Sequence, residues 1–149
     1  MTRITAEAFS AASPDRVFAY RADPRLIPQW NSTYPALEGS RGDAGQAGST
    51  YTLRRVNGKK LEVRVLEAEK PTRLVTIARQ GGINLLQTTT LTAVDGGTRI
   101  EAVYDYVVPW SRGGALADRF LRPHIERGLR TSTARLAELA ATPRAEAEA

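Results

Sequence analysis

Alternation of apolar and polar side chains with a period of two dominates the middle of this chain. Leu61, Val63 and Val65 fall on one side of a run, and Lys60, Glu62 and Arg64 on the other. Successive side chains of a strand point to opposite faces, so the pattern predicts a strand with one dry side and one wet side. Farther on, Val75, Ile77 and Arg79 share a face, as do Leu85, Gln87, Thr89 and Leu91. In the last run Ile100, Ala102, Tyr104, Tyr106 and Val108 align against Arg99, Glu101 and Asp105. Turn signals separate the runs: Asn57-Gly58, Lys70-Pro71-Thr72, Gly81-Gly82 and Asp95-Gly96-Gly97. Connections this short permit only antiparallel pairing. A meander with one apolar face follows.

The two ends obey a different period. Arg3 to Ala12 reads as a first strand. Ser13 before Pro14 is a helix N-cap followed by proline at the first helical position, and Asp15 adds negative charge to the first turn. That helix continues through Val17, Phe18, Tyr20 and Arg21, and Asp23-Pro24 repeats the signal for a second short turn reaching Trp30. Gly39 to Gly48 is polar and glycine-rich, and is expected to be a loop and the most mobile stretch. From about Gly114 to Ala141 the spacing is helical. Leu121, Ile125, Leu129, Ser132, Leu136 and Leu139 form a stripe, with Phe120, His124 and Gly128 along its edge. Pro123 either kinks this helix or leaves the main helix to begin near Arg122. Thr142-Pro143 ends it, and the polar tail beyond is expected to fray. The expectation is one α+β domain over residues 1–142 with a tail at 143–149. A curved sheet with a long helix across it can enclose a cavity.

Composition narrows the function. A chain of 149 residues that is 42% apolar suits a single domain with a real core. Having no cysteine, it can form neither disulfides nor zinc-thiolate sites, and it has no thiol nucleophile. With one histidine and no carboxylate cluster of metal-ligand spacing, no metal or cofactor is expected. No apolar run approaches a signal region or a membrane span, so a soluble, cytoplasmic protein is expected. The formal charge is +5, but the 21 basic residues, of which only Lys59, Lys60 and Lys70 are lysine, are scattered over the whole chain. That is a solvated surface, not the footprint of a nucleic-acid binder.

Candidate site residues come from the apolar face. If Asp95-Gly96-Gly97 makes a three-residue hairpin with a bulge, Gln87 lies near Tyr104. An amide, a phenol and the Thr89 hydroxyl then converge, either to satisfy one another or to meet a ligand. Tyr106 shares the face. Arg79, beside Val75 and Ile77, either snorkels at the sheet edge or reaches a ligand oxygen. Trp30 and Tyr34 follow the second short helix, Tyr51 and Leu53 point inward from their own strand, and Trp110 stands at the strand-to-helix junction. Each either lines the cavity or packs as a plug. Phe120 and His124 flank the helical stripe. His124, the lone histidine, is the natural general acid/base candidate, but no carboxylate in the helix orients it, so a satisfied or partly exposed histidine is expected. Glu67 continues the Leu61 face and reads as a rim carboxylate beside an arginine.

Several segments in order carry a resemblance: Ala12-Ser13-Pro14-Asp15-Arg16-Val17-Phe18, Ala22-Asp23-Pro24, Pro28-Gln29-Trp30-Asn31, Val63 to Leu66 with Glu67, Pro71-Thr72-Arg73-Leu74, and Asp95-Gly96-Gly97-Thr98-Arg99. From about Ile4 to Ala140 the chain resembles the SRPBCC superfamily of START-like, helix-grip proteins, and within it the polyketide cyclase/dehydrase and lipid-transport family. The resemblance implies a curved seven-stranded antiparallel sheet gripping the C-terminal helix, two short helices after the first strand, and a cavity for a hydrophobic or polyketide-like molecule. It leaves open a cyclase or dehydratase, a non-catalytic carrier of a lipid or other hydrophobic ligand, and a protein-interaction module. The chain departs from the aromatase/cyclase branch: the Leu61 to Glu67 strand is aliphatic inside, Glu67 stands in place of an arginine, and Thr89 in place of a tryptophan.

Overall fold

The computed structural model describes residues 1–142 and consists of seven strands and three helices. In chain order they are β1 (Thr2–Ser10), α1 (Pro14–Ala22), α2 (Ile27–Trp30), β2 (Ala36–Arg41), β3 (Thr50–Arg54), β4 (Lys60–Glu69), β5 (Arg73–Gln80), β6 (Ile83–Val94), β7 (Gly97–Tyr106) and α3 (Gly114–Ala141). A 3-10 turn, Pro24–Leu26, joins α1 to α2, and another, Trp110–Arg112, precedes α3. The expected frayed tail lies outside the described residues. All strand pairs are antiparallel, in the order β1-β7-β6-β5-β4-β3-β2, so the first strand returns to lie beside the last.

Local chemistry sets the boundaries. The Ser13 side chain accepts from the Arg16 amide, with Pro14 at the first helical position, and this starts α1. The Asp23 side chain does the same for Arg25 at the following 3-10 turn. Arg16 then reaches across to the far end of α3, its Nε donating to the Ala140 carbonyl at 2.5 Å and its Nη2 to that of Thr142. A cation on the last carbonyls of a helix satisfies orphan acceptors and favours the dipole. Ser10 donates to the Ala137 carbonyl at 2.7 Å, and Thr98 to that of Ala12 at 2.8 Å. The closing half of α3 is thereby pinned to β1 and α1.

Four sequence expectations change here. The β6–β7 hairpin turns on two residues, because Val94 already pairs with Gly97; the opposition of Gln87 and Tyr104 results without a bulge. On β5 the inward residues are Leu74, Thr76 and Ala78, which are buried, while Arg79 is exposed on the other face with Val75 and Ile77. Val63 opposite Ala78 and Val65 opposite Thr76 fix this register. A bulge between Val65 and Glu67 then reverses the alternation on β4, so Glu67 leaves the Leu61 face and pairs with Arg73 at 3.2 Å on the surface. Residues Gly39 to Arg41, expected in a loop, belong to β2.

The core lies between the concave face of the sheet and α3. Its main cluster joins Val17, Phe18, Ile27 and Trp30 to the inner side chains of β3, β4 and β5 and to Leu136 and Ala137. A second cluster gathers Ile4, Ala6, Ala102, Tyr106, Val108 and Leu129. Helix α3 is unbroken around Pro123, and apart from Gly114 at its start its buried residues, Leu129, Ser132, Thr133, Leu136, Ala137 and Ala140, fall in its second half. Leu116, Phe120 and Leu121 of the first half are exposed. The chains of β7 and β1 come so close at Gly97 that a Cβ there would sit 1.9 Å from the Ser10 carbonyl oxygen.

Candidate functional site: a narrow cavity between sheet and helix

Where the two halves of the core meet, they do not fill the space. The hollow has an apolar wall of Leu53, Leu61, Val63, Ile100, Leu129 and Leu136. Helix α2 and the loop after it supply Trp30, Asn31 and Tyr34, and β3 supplies Tyr51. Strands β6 and β7 supply Gln87, Thr89 and Tyr104. The cavity is small, about 30 Å³, and partly open to solvent. It is a cleft rather than a chamber.

Some of its polar groups are held by neighbours and others are left open. Gln87 Oε1 accepts from the Thr76 hydroxyl at 2.8 Å, so its amide nitrogen is the group left for the cavity. Thr89 accepts from Arg21 Nε at 3.1 Å. The Arg21 guanidinium lies 5.5 Å from the centroid of the Trp30 ring, and the Trp30 indole N–H is buried without an acceptor among the described residues. Burial pushes the Tyr104 phenol up to about 12, against an opposing pull from Arg21. Burial also raises Tyr34, with Arg55 acting the other way.

Six of the eleven candidates line the cleft: Trp30, Tyr34, Tyr51, Gln87, Thr89 and Tyr104. Tyr106 does not, and is buried instead in the second core cluster. The Tyr106 hydroxyl is buried beside Asp118 without a well-formed hydrogen bond, and burial followed by the Asp118 carboxylate raises its pKa. Asp118 is itself taken by Thr2, whose hydroxyl donates at 2.5 Å. The other four lie elsewhere. Arg79 faces out for the register reason given above. Trp110 is 89% and Phe120 70% exposed, and His124 is also exposed. The stripe that buries α3 is centred on Leu129, Leu136 and Ala140, and Phe120 and His124 fall outside it.

Arg21 was missed because an arginine in the last turn of a helix reads as a solvated dipole partner. Its spacing held the signal. It lies four residues after Val17, on the face that Val17 buries.

The profile of a family described as polyketide cyclase / dehydrase and lipid transport matches residues 1–141. The chain belongs to this family. Solved structures agree on the fold of this polyketide cyclase/dehydrase and lipid-transport member. A protein of Chromobacterium violaceum superposes with a TM-score of 0.71 at 21% identity, covering 96% of this chain and 100% of that one. A point mutant of norcoclaurine synthase from Thalictrum flavum, solved with a transition-state analogue, gives 0.68 at 17% identity and 93% of each chain. A protein from the dynemicin biosynthetic locus gives 0.69 at 18% identity, covering 91% of this chain, which spans 45% of that one. Compared by sequence with curated proteins, the chain has no match.

Proposed function

We propose that this protein binds an apolar, oxygen-bearing small molecule, polyketide-like in character, in the cleft between the sheet and α3. The observation that carries the reading is a donor-rich set inside an apolar wall. Arg21, the Trp30 indole and the free amide nitrogen of Gln87 can only donate, and Tyr104 keeps its proton at neutral pH. A guest that fits such a wall brings carbonyl or carboxylate oxygens on a hydrocarbon body. Membership of a polyketide cyclase and lipid-transport family points the same way.

Holding the guest is favoured over transforming it. Cyclisation or dehydration of a carbonyl chain needs a base as well as a donor. Among the described residues lining the cleft there is no Asp, Glu, His or Lys, and a phenol raised to about 12 is a poor proton acceptor at pH 7. The interaction-module reading draws on Trp110, Leu116 and Phe120, apolar side chains left open to solvent. Native mass spectrometry of freshly purified protein separates the readings. A retained organic mass, lost on gentle activation and absent from a Tyr104→Phe/Gln87→Leu variant, is the expected result. A bare protein that also refuses octanoate, octan-1-ol and aromatic ketones would overturn the proposal.

A further inference from the structure

Arg21 is the one charged side chain among the described residues of the wall, and it is only 7% exposed. Its Nε is committed to Thr89, but neither Nη nitrogen donates to a described residue, and no described carboxylate lies within ion-pair distance. A guanidinium largely removed from water and without an anion is costly, although the Nη tips keep some accessible surface. The Trp30 ring at 5.5 Å offsets part of that cost, since cation–π attraction grows when both groups are desolvated. The rest is unmatched inside the protein. This fork is held at its stem and free at its tip.

The surroundings define what completes it. A planar guanidinium with two open N–H edges matches a carboxylate in two-point contact. Thr89, which holds the stem, sits opposite Ala102, two residues from Tyr104, and Gln87 sits opposite Tyr104 itself. Further neutral donors therefore stand beside the guanidinium, while Leu53, Leu61, Val63, Ile100 and Leu136 leave an aliphatic wall for the remainder of a guest.

Resting on the cleft-binding reading above, we propose that the ligand is an apolar carboxylic acid bound as its anion, its carboxylate on Arg21 and its hydrocarbon body along β3, β4 and α3. Arg21 is then the residue that selects acids over neutral molecules of the same shape.

The test is isothermal titration of the full chain with sodium octanoate and with octan-1-ol at pH 7.5, repeated on Arg21→Met and Arg21→Lys, each checked by thermal melting. The wild-type protein is expected to bind octanoate at least tenfold more tightly than octanol. Arg21→Met should lose at least tenfold for octanoate and far less for octan-1-ol, and melt no lower, since an uncompensated buried charge has been replaced by a hydrophobe. Should that variant fail to fold, Arg21→Lys carries the test. It keeps the charge without the fork, and should weaken octanoate alone. Equal wild-type affinities for acid and alcohol would overturn the proposal while leaving cleft binding intact. So would a variant that loses both ligands alike or melts lower with its preference unchanged. Binding of neither compound by the wild type would remove the cleft-binding reading, and this inference with it.

Discussion

Thr76 and Gln87 face each other across β5 and β6, and the hydroxyl of the first donates to the side-chain carbonyl of the second at 2.8 Å. Both are buried on the concave face, so this bond fixes which end of the amide looks into the cleft. Gln87→Leu removes the amide but strands the Thr76 hydroxyl, at a cost of about 1–3 kcal/mol. The pair Thr76→Val/Gln87→Leu removes both partners and should recover most of that loss. A double-mutant cycle by urea unfolding checks this. Ligand affinity should fall equally in the single and double variants, because only Gln87 borders the cleft.

Tyr104 gives a pH signature. Its phenol lies at about 12 when folded, against the ordinary value of 10.0, with desolvation as the main cause. Between about pH 10 and 12 the unfolded chain therefore loses a proton that the native state keeps, so stability falls with rising pH across that window. Tyr104→Phe should flatten the fall there, measured as the melting temperature from pH 9 to 12. In an ultraviolet titration, the same variant should lose one late-ionising phenol.

Gly97 tests the closure of the sheet. A methyl group there meets the Ser10 carbonyl oxygen at 1.9 Å, and no rotamer relieves a clash with backbone. Gly97→Ala should cost at least about 3 kcal/mol, the upper range for overpacking, and should show as a lowered urea midpoint. Gly58→Ala, where nothing lies within 4 Å but φ is +84°, separates steric clash from backbone strain and should cost about 1 kcal/mol.

His124 should be dispensable. It is exposed on α3 and lines no part of the cleft. His124→Ala should change stability by less than about 0.5 kcal/mol and leave ligand affinity unchanged, read by melting and titration. A large loss of either would place the histidine in a role that its position does not support.

The sheet was readable wherever one face of a strand was clearly wetter than the other. Leu61, Val63 and Val65 against Glu62 and Arg64, and Tyr104 against Asp105, gave the right faces, and the short turn put Gln87 opposite Tyr104. On β5 the signal fails, since Leu74, Val75 and Thr76 are all buried and alternation cannot choose between them. Only the register with β4 decides, and that is a tertiary fact. The bulge after Val65 is likewise invisible in composition, and so Glu67 was put on the wrong side. On α3 the apolar stripe was read along the wrong face at its start: Leu121 and Phe120 fit the spacing but are exposed, while the early turns meet the sheet through Ala117, Asp118 and Ile125. Of the cleft, β6 and β7 were legible; Arg21 was not, because a lone arginine on a helix reveals its burial only once the helix has something to pack against.

The two tryptophans occupy opposite environments, Trp30 7% and Trp110 89% exposed. Their emission should accordingly split into a blue-shifted and a red-shifted component. Iodide added to the buffer would silence the outer fluorophore and spare the inner one, which stands against Arg21. What survives quenching is a built-in optical gauge of whether the hollow is occupied.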